Sequence, residues 1–67
     1  MDNWTLIFES IFIHEIQIAK AILDSHDIKN VIVNKTDSIY PSNGAVELYV
    51  MQEEALKARH FIQAEIK

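Results

Sequence analysis

The sequence contains no cysteine, one glycine and one proline. Without cysteine the chain has no disulfide, no thiolate zinc site and no cysteine nucleophile. A single glycine excludes a glycine-rich phosphate-binding loop. Because glycine and proline are scarce, we expect most of the chain to be regular structure.

Positive charge is also scarce. Six Lys and Arg residues against ten Asp and Glu give a formal net charge of −4, whereas a phosphate backbone or an anionic membrane surface attracts a positive field. We therefore expect no nucleic acid and no membrane among the partners. No window reaches the roughly 18 apolar residues of a membrane span, and the acidic start is unlike a secretory signal, which predicts a cytoplasmic protein.

The apolar residues follow regular spacings. The chain has 67 residues, of which 49% are hydrophobic and 24% charged, and this composition predicts a single domain over residues 1–67. Apolar residues recur at every second position in some stretches, as in a strand, and at every third or fourth position in others, as in a helix. The elements they predict are a strand at 4–9, a helix at 12–26, a strand from 31 to 34 or 35, a strand at 45–50 and a helix at 52–66.

The first predicted helix is amphipathic. Its apolar stripe consists of Phe12, Ile16, Ala19 and Leu23, with Ile22 beside it. Ser10 is a candidate N-cap, since serine oxygens accept hydrogen bonds from the first turn. After the helix we expect Asp27 to adopt the left-handed conformation and Ile28 to fold back on the last turn.

This order of elements predicts one topology. A helix between two parallel strands of a sheet makes a right-handed crossover, and in the split form the third strand inserts between the first two. We therefore predict an α+β, truncated ferredoxin-like βαββα fold. Its three-stranded antiparallel sheet has the order 1-3-2, with two helices on one side. The outer edge of the first strand is then open, which favours a partner.

We expect neither catalysis nor a bound metal or cofactor. His14 and His26 are twelve residues apart on one predicted helix, about 18 Å along its axis, and cannot share an ion. Glu53 and Glu54 begin the second helix, where the helix dipole favours negative charge. No serine lies in a nucleophile-elbow pattern.

The sheet face away from the helices is one candidate surface. Alternation predicts that it shows Thr5, Ile7, Glu9, Ile32, Asn34, Glu47 and Tyr49. One aromatic and two acids argue against the base-stacking sheet of an RNA-binding module. Ile7, Ile32 and Tyr49 would instead form a partly apolar patch, as in a protein interface or a homo-oligomer.

The segment from Asn34 to Gly44 is the second candidate. It collects turn-forming residues and is longer than a hairpin needs, and such loops often carry function. Its candidate contacts to a small polar ligand or a partner segment are Asn34, Asp37, Ser38 and Tyr40.

Three stretches of the chain carry a resemblance to a known family. They are the run Ile18–Ile28, the pattern Asn-Lys-x-Asp-Ser-x-Tyr at 34–40, and Glu-Leu-Tyr-Val at 47–50 before an acidic helix start. Over nearly its whole length the chain resembles a bacterial family labelled as signal-transducing proteins. That family is a domain of unknown function with a ferredoxin-like fold related to nitrogen-regulatory PII proteins. The chain departs from its pattern where Asp27 replaces the usual glycine.

The resemblance implies the fold and a bacterial, cytoplasmic setting, and it supplies no catalytic residue. PII proteins bind nucleotide and 2-oxoglutarate, but matching phosphate-binding residues are not found here. We therefore expect a non-enzymatic binding or regulatory module that acts through contacts with another protein or another copy. The alternative is a sensor of a small polar metabolite at residues 34–44.

Overall fold

The computed structural model describes residues 3–34 and 45–66. The order of elements is the predicted one, with a 3₁₀ turn at Gln52–Glu54 before the second helix. The elements are β1 (Trp4–Ser10), α1 (Ile13–Ser25), β2 (Asn30–Asn34), β3 (Val46–Met51) and α2 (Ala55–Ile66).

The three strands form an antiparallel sheet in the order β1-β3-β2. Val46, Leu48 and Val50 alternate along the central strand and are buried. Leu48 and Val50 pack in one cluster with Leu23 of α1 and Ile62 of α2, so both helices cover the same face of the sheet. The predicted α+β fold and strand order are confirmed.

The beginning of α1 differs from the prediction. The helix begins after Phe12, which is its N-cap residue and makes no side-chain capping hydrogen bond. Ser10 is therefore not the cap. Its hydroxyl accepts a hydrogen bond from the Phe12 N–H at 3.0 Å and donates one to Glu15 Oε1 at 2.6 Å. Ser10 thus fixes the connection from β1 to α1, because it binds both sides of the turn.

The apolar stripe of α1 is confirmed except at its first position. Ile16, Ala19, Ile22 and Leu23 are buried, whereas Phe12 is 52% exposed. Phe12 lies before the first helical residue and has extended backbone angles. The helical spacing therefore does not apply to it, and its ring is outside the core.

The end of α1 has the predicted geometry. Asp27 has φ 59°, in the left-handed region. Its N–H donates to the Asp24 carbonyl at 3.1 Å, and the Ile28 N–H donates to the Leu23 carbonyl at 3.0 Å. This is the Schellman arrangement, in which the residue after the turn packs against the last helical turn. Ile28 and Leu23 accordingly lie in the same buried cluster.

A polar network joins α1 to the start of β2. The Lys20 ammonium contacts Asp24 Oδ2 at 3.2 Å and donates to Asn30 Oδ1 at 3.1 Å. The Asn30 amide donates to Asp24 Oδ1 at 2.8 Å and to the Ile28 carbonyl at 2.9 Å. The hydrogen bonds from Asn30 and then Lys20 lower the pKa of Asp24, since they favour its charged form.

A β-bulge changes which residues of β1 face the helices. Leu6 pairs with Tyr49 and Phe8 pairs with Leu48, so Ile7 is an extra residue in β1. Directly paired residues point to the same face of a sheet. Phe8 therefore faces the helices, while Leu6 faces away from them.

The predicted faces of Thr5 and Ile7 are consequently wrong. The prediction assumed strict alternation along the whole of β1, whereas the strand contains an extra residue. Ile7 packs against the buried cluster, and Thr5 pairs with the buried Val50.

The faces of β2 also differ from the prediction. Ile32 pairs with Leu48 and Asn34 pairs with Val46, so both lie on the helix side of the sheet. Ile32 packs against the core cluster. Val31 and Val33 occupy the open face instead. A run of β-branched residues at 31–33 shows no alternation that could have fixed this choice.

The face assignment in β2 predicts unequal effects of truncation. We expect Ile32→Ala to lower the free energy of unfolding by about 2 kcal/mol or more, because it removes packing from the core. The neighbouring control Val31→Ala, on the open face, should cost less than about 1 kcal/mol. Urea unfolding of the two variants measures the difference, and a larger loss for Val31→Ala would contradict the register.

The left-handed position at Asp27 predicts a second pair of variants. Asp27→Val should lower the free energy of unfolding by about 1–2 kcal/mol, since a β-branched residue is strained at positive φ. Asp27→Gly makes the same charge change without that strain and should unfold at a clearly higher denaturant concentration than Asp27→Val. Equal midpoints for the two variants would show that the backbone at this position is not left-handed in solution.

Candidate interaction surface

The open face of the sheet differs in membership from the predicted one. Strand pairing places on it Trp4, Leu6, Glu9, Val31, Val33, Glu47, Tyr49 and Met51. Its apolar side chains are mostly partly buried, and Val31 is 36% exposed. The apolar patch predicted from Ile7, Ile32 and Tyr49 is therefore not formed, because two of its three members lie on the helix side.

Glu47 and Tyr49 are the two predicted site residues that the structure brings together on the open face. Tyr49 O–H donates to Glu47 Oε1 at 2.7 Å, and Glu47 is only 9% exposed. This hydrogen bond raises the pKa of Tyr49, and desolvation and the charges of Glu47 and Glu9 raise it further. Each cause favours the neutral phenol.

The other predicted contacts belong to the segment after β2. Asn34 is exposed at the end of that strand. Asp37, Ser38 and Tyr40 lie outside the described residues, so the binding role of the 34–44 segment stays a prediction.

Three consecutive apolar side chains are exposed where β1 turns into α1. Ile11 is 62% exposed, Phe12 52% and Ile13 45%. We call Ile11–Ile13 the apolar turn. Sequence reasoning missed it because Phe12 was assigned to the buried stripe. The available signal was the excess of apolar residues at 11–13, more than one helical stripe can bury.

A cleft lies beside the apolar turn. Its volume is about 580 Å³, and its described lining is Phe8, His14, Glu15, Ile18 and Glu65. We call it the α1 cleft. Ile18 is 52% exposed, and the bulge in β1 turns Phe8 towards the helices. The His14 ring lies 5.9 Å from the ring of Phe12, so the apolar turn and the α1 cleft form one continuous surface.

The two carboxylates of the α1 cleft are anchored. Glu15 accepts the Ser10 hydroxyl, as described above, and Glu65 Oε2 lies 3.3 Å from His26 Nε2. The His26 ring stacks on Phe61, with centroids 3.6 Å apart and an interplanar angle of 4°. These contacts hold two carboxylates beside the apolar lining. No lysine or arginine is among the described residues that line the cleft.

Two other features are absent from the residues that the structure describes. Within residues 3–34 and 45–66, no group of three His, Asp or Glu side chains is placed to hold a metal ion. No helix in these ranges combines the length and the apolar character that a membrane span requires.

The Tyr49–Glu47 hydrogen bond predicts an alkaline shift. In a Tyr40→Phe variant, where Tyr49 is the remaining tyrosine, tyrosinate absorbance should rise with a midpoint above the ordinary value of 10.0. Because the folded-state pKa exceeds the unfolded one, this contribution to stability is complete below pH 10. It is lost as the pH rises through the folded pKa.

The same variant in concentrated urea is the control, and its midpoint should return to the ordinary value. A folded-state midpoint at or below the urea value would show that the hydrogen bond to Glu47 is absent in solution.

Comparison of the chain with family models, curated proteins and solved structures finds no match. The resemblance to the bacterial signal-transducing family is thus a prediction that these comparisons leave untested.

Proposed function

We propose that this protein is a non-enzymatic binding module that acts through contacts with another protein. The observation that carries the proposal is the apolar turn, with its three consecutive exposed side chains next to the α1 cleft. Runs of exposed apolar residues are unfavourable in a free domain unless they serve a function. Contiguous exposed apolar surface usually marks an interaction site.

The placement of the apolar turn supports this function. Its residues are held between the end of β1 and the first turn of α1, and the Ser10 hydroxyl bonds to both Phe12 and Glu15. A rigid framework presents apolar side chains without a large loss of entropy on binding. The turn is thus suited to act as a preformed anchor for a partner.

The open face of the sheet is a weaker candidate for binding nucleic acid or a protein than the apolar turn is. The three strands contain no lysine, arginine or histidine, so the open face offers no cation to a nucleic acid phosphate. Its apolar residues are also more buried than those of the apolar turn. The proposal therefore assigns docking to the turn and the α1 cleft instead of the open face.

Site-specific photocrosslinking in host cells tests the proposed function. We replace Phe12 with p-benzoylphenylalanine and expect a discrete adduct with a second protein, since the probe lies within the docking surface. The control carries the same probe at Leu56, which is 83% exposed on α2 and should yield no such adduct.

A second substitution separates docking from chance proximity. Ile18→Asp, added to the Phe12 probe, places a charge in the α1 cleft and should remove most of the adduct. Circular dichroism checks that this variant is folded, which is expected because Ile18 is exposed. Equal adducts from the two probe positions, or none from either, would refute the proposed function.

A further inference from the structure

We propose that the partner docked at the α1 cleft presents a lysine or arginine next to a bulky apolar side chain. This inference rests on the proposed function and specifies the chemistry of its partner. The apolar side chain would pack between Phe8 and Ile18, and the cation would lie between Glu15 and Glu65.

Charge complementarity is the first argument. Glu15 and Glu65 line the α1 cleft together with the imidazole of His14. Lys20, the one lysine or arginine of α1, is bound to Asp24 and Asn30. The chain as a whole carries a net charge of −4. A cationic segment is therefore attracted to the cleft, whereas an acidic one is repelled.

The hydrogen-bond geometry is the second argument. The Ser10 hydroxyl bonds to Oε1 of Glu15, and the imidazole of His26 contacts Oε2 of Glu65. Both contacts orient a carboxylate on an exposed side chain before any partner arrives. Oriented carboxylates suit arginine in particular, whose planar guanidinium donates two parallel hydrogen bonds.

A second copy of the chain fits this site poorly. Its apolar turn is followed two residues later by Glu15, so docking would bring another carboxylate to a cleft that already has two. Like charges brought together at an interface oppose binding. Self-association at the α1 cleft is the outcome that the experiments below distinguish from binding of a cationic partner.

Synthetic peptides test the inference directly. The probe is a ten-residue peptide that alternates arginine with leucine, titrated into isotopically labelled protein while amide shifts are followed by NMR. One comparison peptide replaces each arginine with glutamate, and another replaces each leucine with serine. We expect the arginine–leucine peptide to shift residues of α1 around the cleft and to bind more tightly than either comparison peptide.

Charge-neutralising variants localise the effect. Glu15→Gln combined with Glu65→Gln keeps both hydrogen-bond acceptors and should weaken binding of the arginine–leucine peptide by roughly two- to thirty-fold, as two exposed ion pairs imply. Added salt should reduce this difference. The control Glu53→Gln removes an exposed acidic charge outside the cleft lining and should leave the affinity nearly unchanged.

The outcomes separate this inference from the proposed function. Equal binding of the arginine–leucine and glutamate–leucine peptides at the cleft would overturn the charge requirement while leaving a protein-binding module in place. Equal binding of the arginine–serine peptide would overturn the apolar requirement. Light scattering that shows dimers dissociated by Ile18→Asp would replace the basic partner with a second copy. Loss of the photocrosslink itself would overturn both.

Discussion

The extra residue in β1 is the constraint on which the rest of the structure depends. Ile7 has no opposing residue in β3, and pairing shifts from Leu6–Tyr49 to Phe8–Leu48. A bulge bends and twists its strand and redirects the side chains that follow. As a result Ile7 and Phe8 both pack against the core, and Phe8 becomes part of the α1 cleft. Uninterrupted alternation from Leu6 would have placed Phe8 on the open face.

The short connection between β1 and α1 determines which residues stay exposed. Ser10 is the last strand residue and α1 begins three residues later, so residues 11 and 12 have no room to reach the core. The Ser10 hydroxyl uses the Phe12 N–H and the Glu15 carboxylate, and the helix starts without a side-chain cap. The exposed apolar turn is thus a consequence of where the strand ends.

Sequence patterns predicted the fold well and the candidate surface poorly, for a physical reason. The turn at Asp27 and the buried faces of α1 and β3 follow from local rules, because one conformation or one period explains each. A bulge depends on the partner strand, and the phase of residues 31–33 depends on pairing with β3. Since the open face combines three strands, two errors of phase changed most of its membership, although Glu9, Glu47 and Tyr49 were placed correctly.

The acidity of the chain and the exposure of its apolar turn are connected. An exposed apolar surface promotes self-association, whereas net charge of one sign opposes it. At physiological ionic strength charges interact over about 8 Å. Only carboxylates close to the apolar turn can therefore attract or repel a molecule that contacts it. Glu15 lies two residues from Ile13, and Glu65 lines the adjoining cleft. The same two carboxylates that would repel another copy would attract the proposed cationic partner, so one charge pattern would serve both solubility and selection.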